Sequence, residues 1–252
     1  MAFKDTSNHM RLDNLLVELG HFPSRSRARD AINRGTVSVD GNAVTKAALS
    51  VHPEADIVID DPAQRYVSRA ALKLVAALDA FEFSATDKTC LDIGASTGGF
   101  TQVLLERGAS HVIALDVGHD QLDDQFRQNA QVTVLEGVNA RELDATQLDN
   151  QMPDLIVSDV SFISLKLALP PALALAADGA KCILLVKPQF EVGRENVGKG
   201  GIVKSEDGEA VAQELKTWLN GQDGWRVTGL IPSPISGGDG NIEYLLAGHK
   251  NG

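Results

Sequence analysis

The chain has 252 residues, 43% hydrophobic and 23% charged, which is enough to bury a core and excludes a disordered tail or a fibrous repeat. Its formal charge of −11, from 23 Lys and Arg against 34 Asp and Glu, weighs against a polyanion partner for the chain as a whole. Two cysteines, Cys90 and Cys182, sit inside apolar runs; they are too few for a disulfide scaffold or a zinc site and suit a reducing cytoplasm. Residues 1–13 lack the apolar core of a signal peptide, and the most apolar stretch, 165–177, is broken at Pro170-Pro171. The expectation is a soluble cytoplasmic protein with no membrane span and no metal, most simply a monomer.

Charge is uneven along the chain. Residues 1–60 carry Lys4, Lys46 and five arginines (Arg11, Arg25, Arg27, Arg29, Arg34) against eight acids, so nearly all the net negative charge lies beyond residue 60. Leu12, Leu15, Leu16 and Leu19 recur at helical spacing, which predicts a helix over 11–20. Pro23-Ser24 and Gly35 bracket a second helix over 24–34, with Arg25 and Arg29 on one face and Ala28, Ala31 and Ile32 facing inward. Val37–Val39 alternates, Asp40-Gly41 suits a type I′ turn, Ala43-Val44 resumes the strand, and 56–60 supplies a last strand. Read alone, the arginines are a solvated helix face. Read as a patch on an acidic body, they are a nucleic-acid footprint.

The segments 11–17, 24–32, 35–41 and 56–59 together resemble the small RNA-binding domain shared by a ribosomal small-subunit protein, pseudouridine synthases and bacterial tyrosyl-tRNA synthetases. The resemblance implies that the arginine-bearing helix docks on structured RNA through phosphates. RNA contacts are accordingly expected from Arg11, Arg25, Arg27, Arg29, Arg34 and Lys46, and further on from Arg65, Arg69, Arg194 and Lys199. The boundaries read as a domain over 1–61, a linker over 62–67 and a second domain over 68–252.

The second segment alternates strands and helices. Strands are expected at 89–93, 111–116, 132–136, 154–159, 181–187, 226–231 and 242–247, and helices at 68–81, 99–107, 165–177 and 207–219. This rhythm predicts an α/β fold with a doubly wound, mostly parallel seven-stranded sheet, in which ligands bind beyond the carboxyl ends of the strands. The first of these strands runs into Asp92-x-Gly94-Ala95-Ser96-x-Gly98-Gly99-Phe100 and then a helix. A nicotinamide loop wants Gly at position 96, and a triphosphate loop wants a following Gly-Lys-Ser/Thr; both are absent. The arrangement is similar to motif I of S-adenosylmethionine-dependent methyltransferases. Asp116, ending the next strand, reads as the acceptor for two ribose hydroxyls, and Val117 and Asn139 complete the expected cofactor site.

Neither cysteine lies in a loop suited to pyrimidine carbon methylation, and Asp159-Val160-Ser161-Phe162 lacks the prolines of amino-group methylation. That leaves a hydroxyl acceptor. Lys73, Asp159, Lys187 and Glu243 fall on elements converging on one sheet edge, each explicable singly as a surface or strand-end residue. Their order resembles the tetrad of the FtsJ-like ribose 2′-O-methyltransferases. The resemblance implies that Lys187 activates the hydroxyl, Asp159 orients it, and Lys73 and Glu243 position the ribose. Two nearby ammonium groups would also depress one another's basicity. Adding the 66–73 junction, the run Val186–Glu191 and the loop 193–203, nearly the whole chain resembles the TlyA family. That implies 2′-O-methylation of cytidine in ribosomal RNA or a ribosomal subunit, with a membrane-lytic haemolysin, a non-catalytic assembly factor and a small-molecule O-methyltransferase as alternatives. The 190–205 loop reads as a solvated loop or a lid, and Tyr66, Phe162 and Phe190 read equally as core or as stacking platforms for a flipped nucleotide.

Overall fold

The computed structural model describes residues 9–252. The opening stretch read above for a signal peptide therefore lies mostly outside the described residues, as does Lys4. The chain separates into two compact units that meet in sequence between Arg65 and Tyr66.

In the first unit, β1 (Met10–Arg11) pairs antiparallel with β4 (Ser50–Val51), and α1 (Leu12–Glu18) packs on α2 (Arg25–Asn33). The α2 helix starts where the sequence placed its cap: the Ser24 side chain accepts from Arg27 N at 3.3 Å, filling an otherwise open first-turn donor. β2 (Val37–Val39) is the middle strand between β3 (Asn42–Val44) and β5 (Ile57–Ile59). Asp40 and Gly41 have φ of 48° and 76°, the double positive a type I′ turn requires. Leu12, Leu15, Leu16, Ala28, Ala31, Ile32 and Val37 close the small core. The two-residue strands β1 and β4 are too short to leave a periodic signal, which is why the sequence did not reveal them.

The second unit is one seven-stranded sheet in the order β11-β12-β10-β9-β6-β7-β8. Its strands are β6 (Thr89–Ile93), β7 (His111–Asp116), β8 (Val132–Glu136), β9 (Leu155–Ser158), β10 (Lys181–Val186), β11 (Trp225–Pro232) and β12 (Tyr244–Lys250). Neighbours from β10 through β8 run parallel, while β12 lies antiparallel to both β10 and β11. Alternate residues fill the two faces: Leu91, Ile93, Ile113, Leu115, Ile156, Leu184 and Leu246 on one, Cys90, Val112, Val157, Ile183, Leu185 and Leu245 on the other. Burial on both faces is what makes these strands read as continuous apolar runs.

The helices are α3 (Ala71–Ala80), α4 (Gly99–Glu106), α5 (Asp124–Arg127), α6 (Leu165–Ala168), α7 (Pro170–Leu175) and α8 (Ser205–Asn220). The single helix expected over 165–177 is two short ones, because Pro170 has no amide hydrogen for a continuing turn and serves instead as a first helical residue. Glu243, expected to open the last strand, lies one residue before it. Connections leave β6 toward β7 on one side and reach β9 on the other, so the switch point of the sheet falls between β6 and β9, and the site lies there.

Candidate active site

The β6–α4 turn begins beneath this switch point. Gly94 has φ of 83°, and a Cβ there would sit 3.0 Å from the backbone of Asp159, so only glycine lets the two strand ends approach this closely. Gly98 is a glycine for a different reason: at φ of 96° its missing side chain leaves room for Phe126 and Leu122 on the flank of the fold. Above the turn lies a cavity of ≈ 540 Å³, whose walls include Gly94, Ser96, Asp116, Val117, Asn139, Asp159, Ser161 and Phe162. Asp116 accepts from Ser96 N and Gly118 N, both at 2.8 Å, which fixes its carboxylate at the rim with further lone pairs available. Glu136, at the end of β8, accepts from the amides of Asp120, Gln121 and Leu122 and pairs with Arg127, so it pins the loop after β7. The Arg127 guanidinium, helped by those amides, lowers the Glu136 carboxyl to about 2.

Five residues expected in the cofactor site, Gly98 among them, do not line this cavity. Asp92 is fully buried behind it, its Oδ2 accepting from Thr101 Oγ1 at 2.7 Å while Oδ1 has no partner. Burial raises its carboxyl to about 7, so Asp92 is a buried support under the glycine turn. Gly99 and Phe100, with Ala95, instead face a second, smaller cavity of ≈ 150 Å³. This one is also walled by Ser68, Ala70 and Lys187, and it shares Gly94, Ser96, Asp159 and Ser161 with the larger cavity. The two spaces thus meet across one short piece of wall.

The four candidate catalytic residues form two ion pairs. Lys187, one residue past β10, lies 2.6 Å from Asp159 Oδ1, just past β9, and donates to Ser161 Oγ at 2.7 Å. Lys73, in the first turn of α3, meets Glu243 at 2.5 Å, with both side chains almost wholly buried. Each lysine therefore faces a carboxylate, so the charge at this edge is matched within each pair. Sequence reasoning misses Ser161: within the Asp159–Phe162 stretch it gives roles to Asp159 and Phe162 and none to the serine between them.

The aromatic candidates separate cleanly. Tyr66 is 4% exposed and belongs to the core, whereas Phe162 is 90% exposed at φ of 65°, its ring 5.1 Å from that of Phe190. A bulky side chain in the left-handed region, open to solvent at a cavity wall, is a strained arrangement of the kind found at functional sites.

The basic residues of the first unit also separate. Arg34 is bound by Asp61 at 2.7 Å and Asp30 at 3.1 Å and is largely buried, so it is a fastener of the fold and not the surface contact expected. Arg27 donates to Ala63 O at 3.3 Å. Arg11 and Arg25 share the buried carboxylate of Asp13 yet remain about half exposed (48% and 55%), and Arg29 and Lys46 are exposed. In the second unit Arg194 and Lys199 are exposed on the 190–205 loop, whose far end buried Asn241 pins by accepting from Val203 N and donating to Gly201 O, both at 2.8 Å. Arg65 is exposed and Arg69 half-buried. Among the described residues no helix is long and apolar enough to cross a membrane.

A glycine turn beside a strand-end acid, two cavities sharing a wall, and a lysine–aspartate pair at it define a class. Residues 66–250 match the FtsJ-like methyltransferase family and residues 10–57 the S4 domain, so the chain belongs to the FtsJ-like methyltransferases and carries an S4 domain ahead of its catalytic one. It is 43% identical over 237 residues to the 16S/23S rRNA (cytidine-2′-O)-methyltransferase TlyA of Mycobacterium tuberculosis, covering 94% of this chain and 88% of that one. Hemolysin A of Brachyspira hyodysenteriae is 39% identical over 242 residues, covering 94% and 98%. A solved structure from Streptococcus thermophilus, described as a hemolysin, superposes with a TM-score of 0.74 at 38% identity, covering 97% of this chain and 89% of that one. Within the FtsJ-like methyltransferases the chain is a member of the TlyA family.

Proposed function

We propose that the chain transfers a methyl group from S-adenosylmethionine to the 2′-hydroxyl of a cytidine ribose in ribosomal RNA, in the cytoplasm. The carrying observation is the shared wall: Asp159 borders both the larger cavity, sized for a nucleoside cofactor, and the smaller one beside it, where its partner Lys187 also lies. The relatives named as rRNA (cytidine-2′-O)-methyltransferases support the acceptor, and the S4 match supports RNA as its carrier.

The residues of the larger cavity fit the cofactor. Asp116 offers fixed oxygens to a ribose diol, Val117 and Asn139 flank the space for a base, and the unpartnered buried oxygen of Asp92 adds negative potential behind the turn, where a cationic group would lie. When bound, S-adenosylmethionine supplies an electrophilic methyl group on a sulfonium. The acceptor hydroxyl enters from the smaller cavity and takes the place of Ser161 against Lys187. Lys187, once its ammonium has released a proton to solvent, accepts the proton the hydroxyl gives up as the new carbon–oxygen bond forms, and Asp159 holds the ammonium so restored. Lys73 and Glu243 form the buried, charge-matched floor of this edge. Phe162 presents its face to the target base outside the helix stack. Arg11, Arg25, Arg29 and Lys46 meet phosphates.

Incubation with ribosomal RNA and methyl-labelled S-adenosylmethionine, then digestion to nucleosides, tests the reading. Label in 2′-O-methylcytidine is expected; label on a base, or none in RNA, contradicts it.

A further inference from the structure

The run Val186–Glu191 carries Lys187 at its start, and the site described so far gives no task to its last residue. Glu191 lies past the short turn after β10, and its carboxylate is mostly enclosed. Its Oε2 accepts from Ser164 Oγ at 2.6 Å and its Oε1 accepts from Leu165 N at 2.8 Å. Ser164 in turn caps α6 by accepting from Lys166 N at 3.1 Å. Residues 159–164 and 187–191 leave two neighbouring parallel strands and are joined at successive points. Lys187 meets Asp159 and Ser161, the Phe190 ring meets Phe162, and Glu191 meets Ser164. Glu191 is the outermost of these ties. The loop it holds contains the left-handed Phe162, a conformation that persists only when its surroundings fix it.

We propose that Glu191 is a positioning residue for methyl transfer, holding the 159–164 loop through Ser164 so that Asp159 and Ser161 stay on Lys187. The inference rests on the function proposed above. Glu191 touches neither cavity, so it acts only through the loop. Its task is distinct from holding the fold together. Burial raises the Glu191 carboxyl above its ordinary value, with the Ser164 hydroxyl, the Leu165 amide and the nearby Lys166 charge pulling the other way. A carboxyl raised in this way favours the folded state in its protonated form, and that contribution is lost as pH rises through the folded value. Burial works against the ionised carboxyl in the folded chain, a cost that the neutral amide of Gln does not carry.

The test compares wild type, Glu191→Gln, Ser164→Ala and the double variant in full-length protein. Glu191→Gln is expected to lower kcat by about tenfold, the scale of one charge-assisted hydrogen bond turned into misplacement of a reacting group. The KM for S-adenosylmethionine is expected to change less than kcat, since Gly94, Ser96, Asp116, Val117 and Asn139 of the cofactor wall lie on the other strands and only its 159–163 side is loosened, and Tm is unchanged or higher. Amide hydrogen exchange across 159–165 is expected to quicken. Ser164→Ala reproduces the loss, and the double variant loses no more than the worse single one, because both remove the same tie. Wild-type kcat in both single variants, unchanged exchange across 159–165, or a loss confined to cofactor KM or to Tm overturns the inference while leaving the methyltransferase reading intact. A wild-type chain that methylates no ribosomal RNA overturns that reading and the positioning role with it, whatever the exchange data say.

Discussion

The two halves of the sheet's carboxyl edge hold charge by different means. On the β6–β8 side, Asp116 is fixed by the backbone amides of Ser96 and Gly118, and Glu136 by those of residues 120–122 together with the Arg127 guanidinium. On the β9, β10 and β12 side, charge is fixed by other side chains: Lys187 by Asp159 and Ser161, Lys73 by Glu243. A carboxylate held by amides keeps one shape and waits for a neutral or cationic ligand. An ammonium held by a carboxylate and a hydroxyl can exchange a partner for substrate or give up a proton. The first arrangement suits binding of a donor, and the second suits chemistry on an acceptor.

The same difference governs what the sequence discloses. The donor half is built around one contiguous glycine turn, so the spacing Asp92-x-Gly94-x-Ser96-x-Gly98 and the strand-end Asp116 are legible directly. Within that turn spacing alone misleads, since Gly98 answers to Phe126 and Asp92 to Thr101. The paired lysines and acids lie up to 170 positions apart, as Lys73 and Glu243 do, and become neighbours only through the sheet order. Topology places their elements at one edge but cannot say which acid takes which lysine, and so the two-pair arrangement was not visible. The Arg34 pairing is hidden from the sequence for the same reason: its partner Asp61 is 27 positions away, at the far end of the unit.

The sharpest break of the comparison lies within the acceptor half. Lys73→Ala leaves the Glu243 carboxylate buried and unpaired and is expected to cost about 3–5 kcal/mol in denaturant unfolding. Lys187→Ala, whose partner borders a cavity, should cost far less, and equal losses would show that both pairs are structural. On the donor half, Gly94→Ala places a Cβ against the Asp159 backbone in a left-handed turn, so a loss of about 1–3 kcal/mol is expected, together with weaker S-adenosylmethionine binding by calorimetry.

Acid and base act oppositely on the two buried aspartates. Asp92, raised to about 7 by burial, favours the folded state below the ordinary carboxylate range, and that contribution fades as pH rises through about 7. Asp92→Asn should therefore flatten the decline in Tm between pH 4 and 8. Asp13 is the reverse case. Hydrogen bonds from Arg11, and then Arg25, hold its carboxyl at about 2, so its contribution is complete above the ordinary range and lost as pH falls toward 2. Stability of Asp13→Asn should converge on that of wild type in strong acid. The smallest expected effect is on RNA affinity: Arg25→Ala with Arg29→Ala should weaken binding and reduce the logarithmic salt slope by about 1–2, roughly 0.7–0.9 per lost phosphate contact. Arg34→Ala should instead loosen the first unit, seen as earlier proteolysis within residues 9–65.

The most direct measurement is the yield of 2′-O-methylcytidine from ribosomal RNA with Lys187→Ala, alongside calorimetric titration of S-adenosylmethionine into the same variant. A proton acceptor at that position predicts turnover lower by about 10²–10⁴-fold with cofactor affinity unchanged. Turnover within a few-fold of wild type would mean that the hydroxyl loses its proton elsewhere, and the assignment of this edge as the acceptor half would fall.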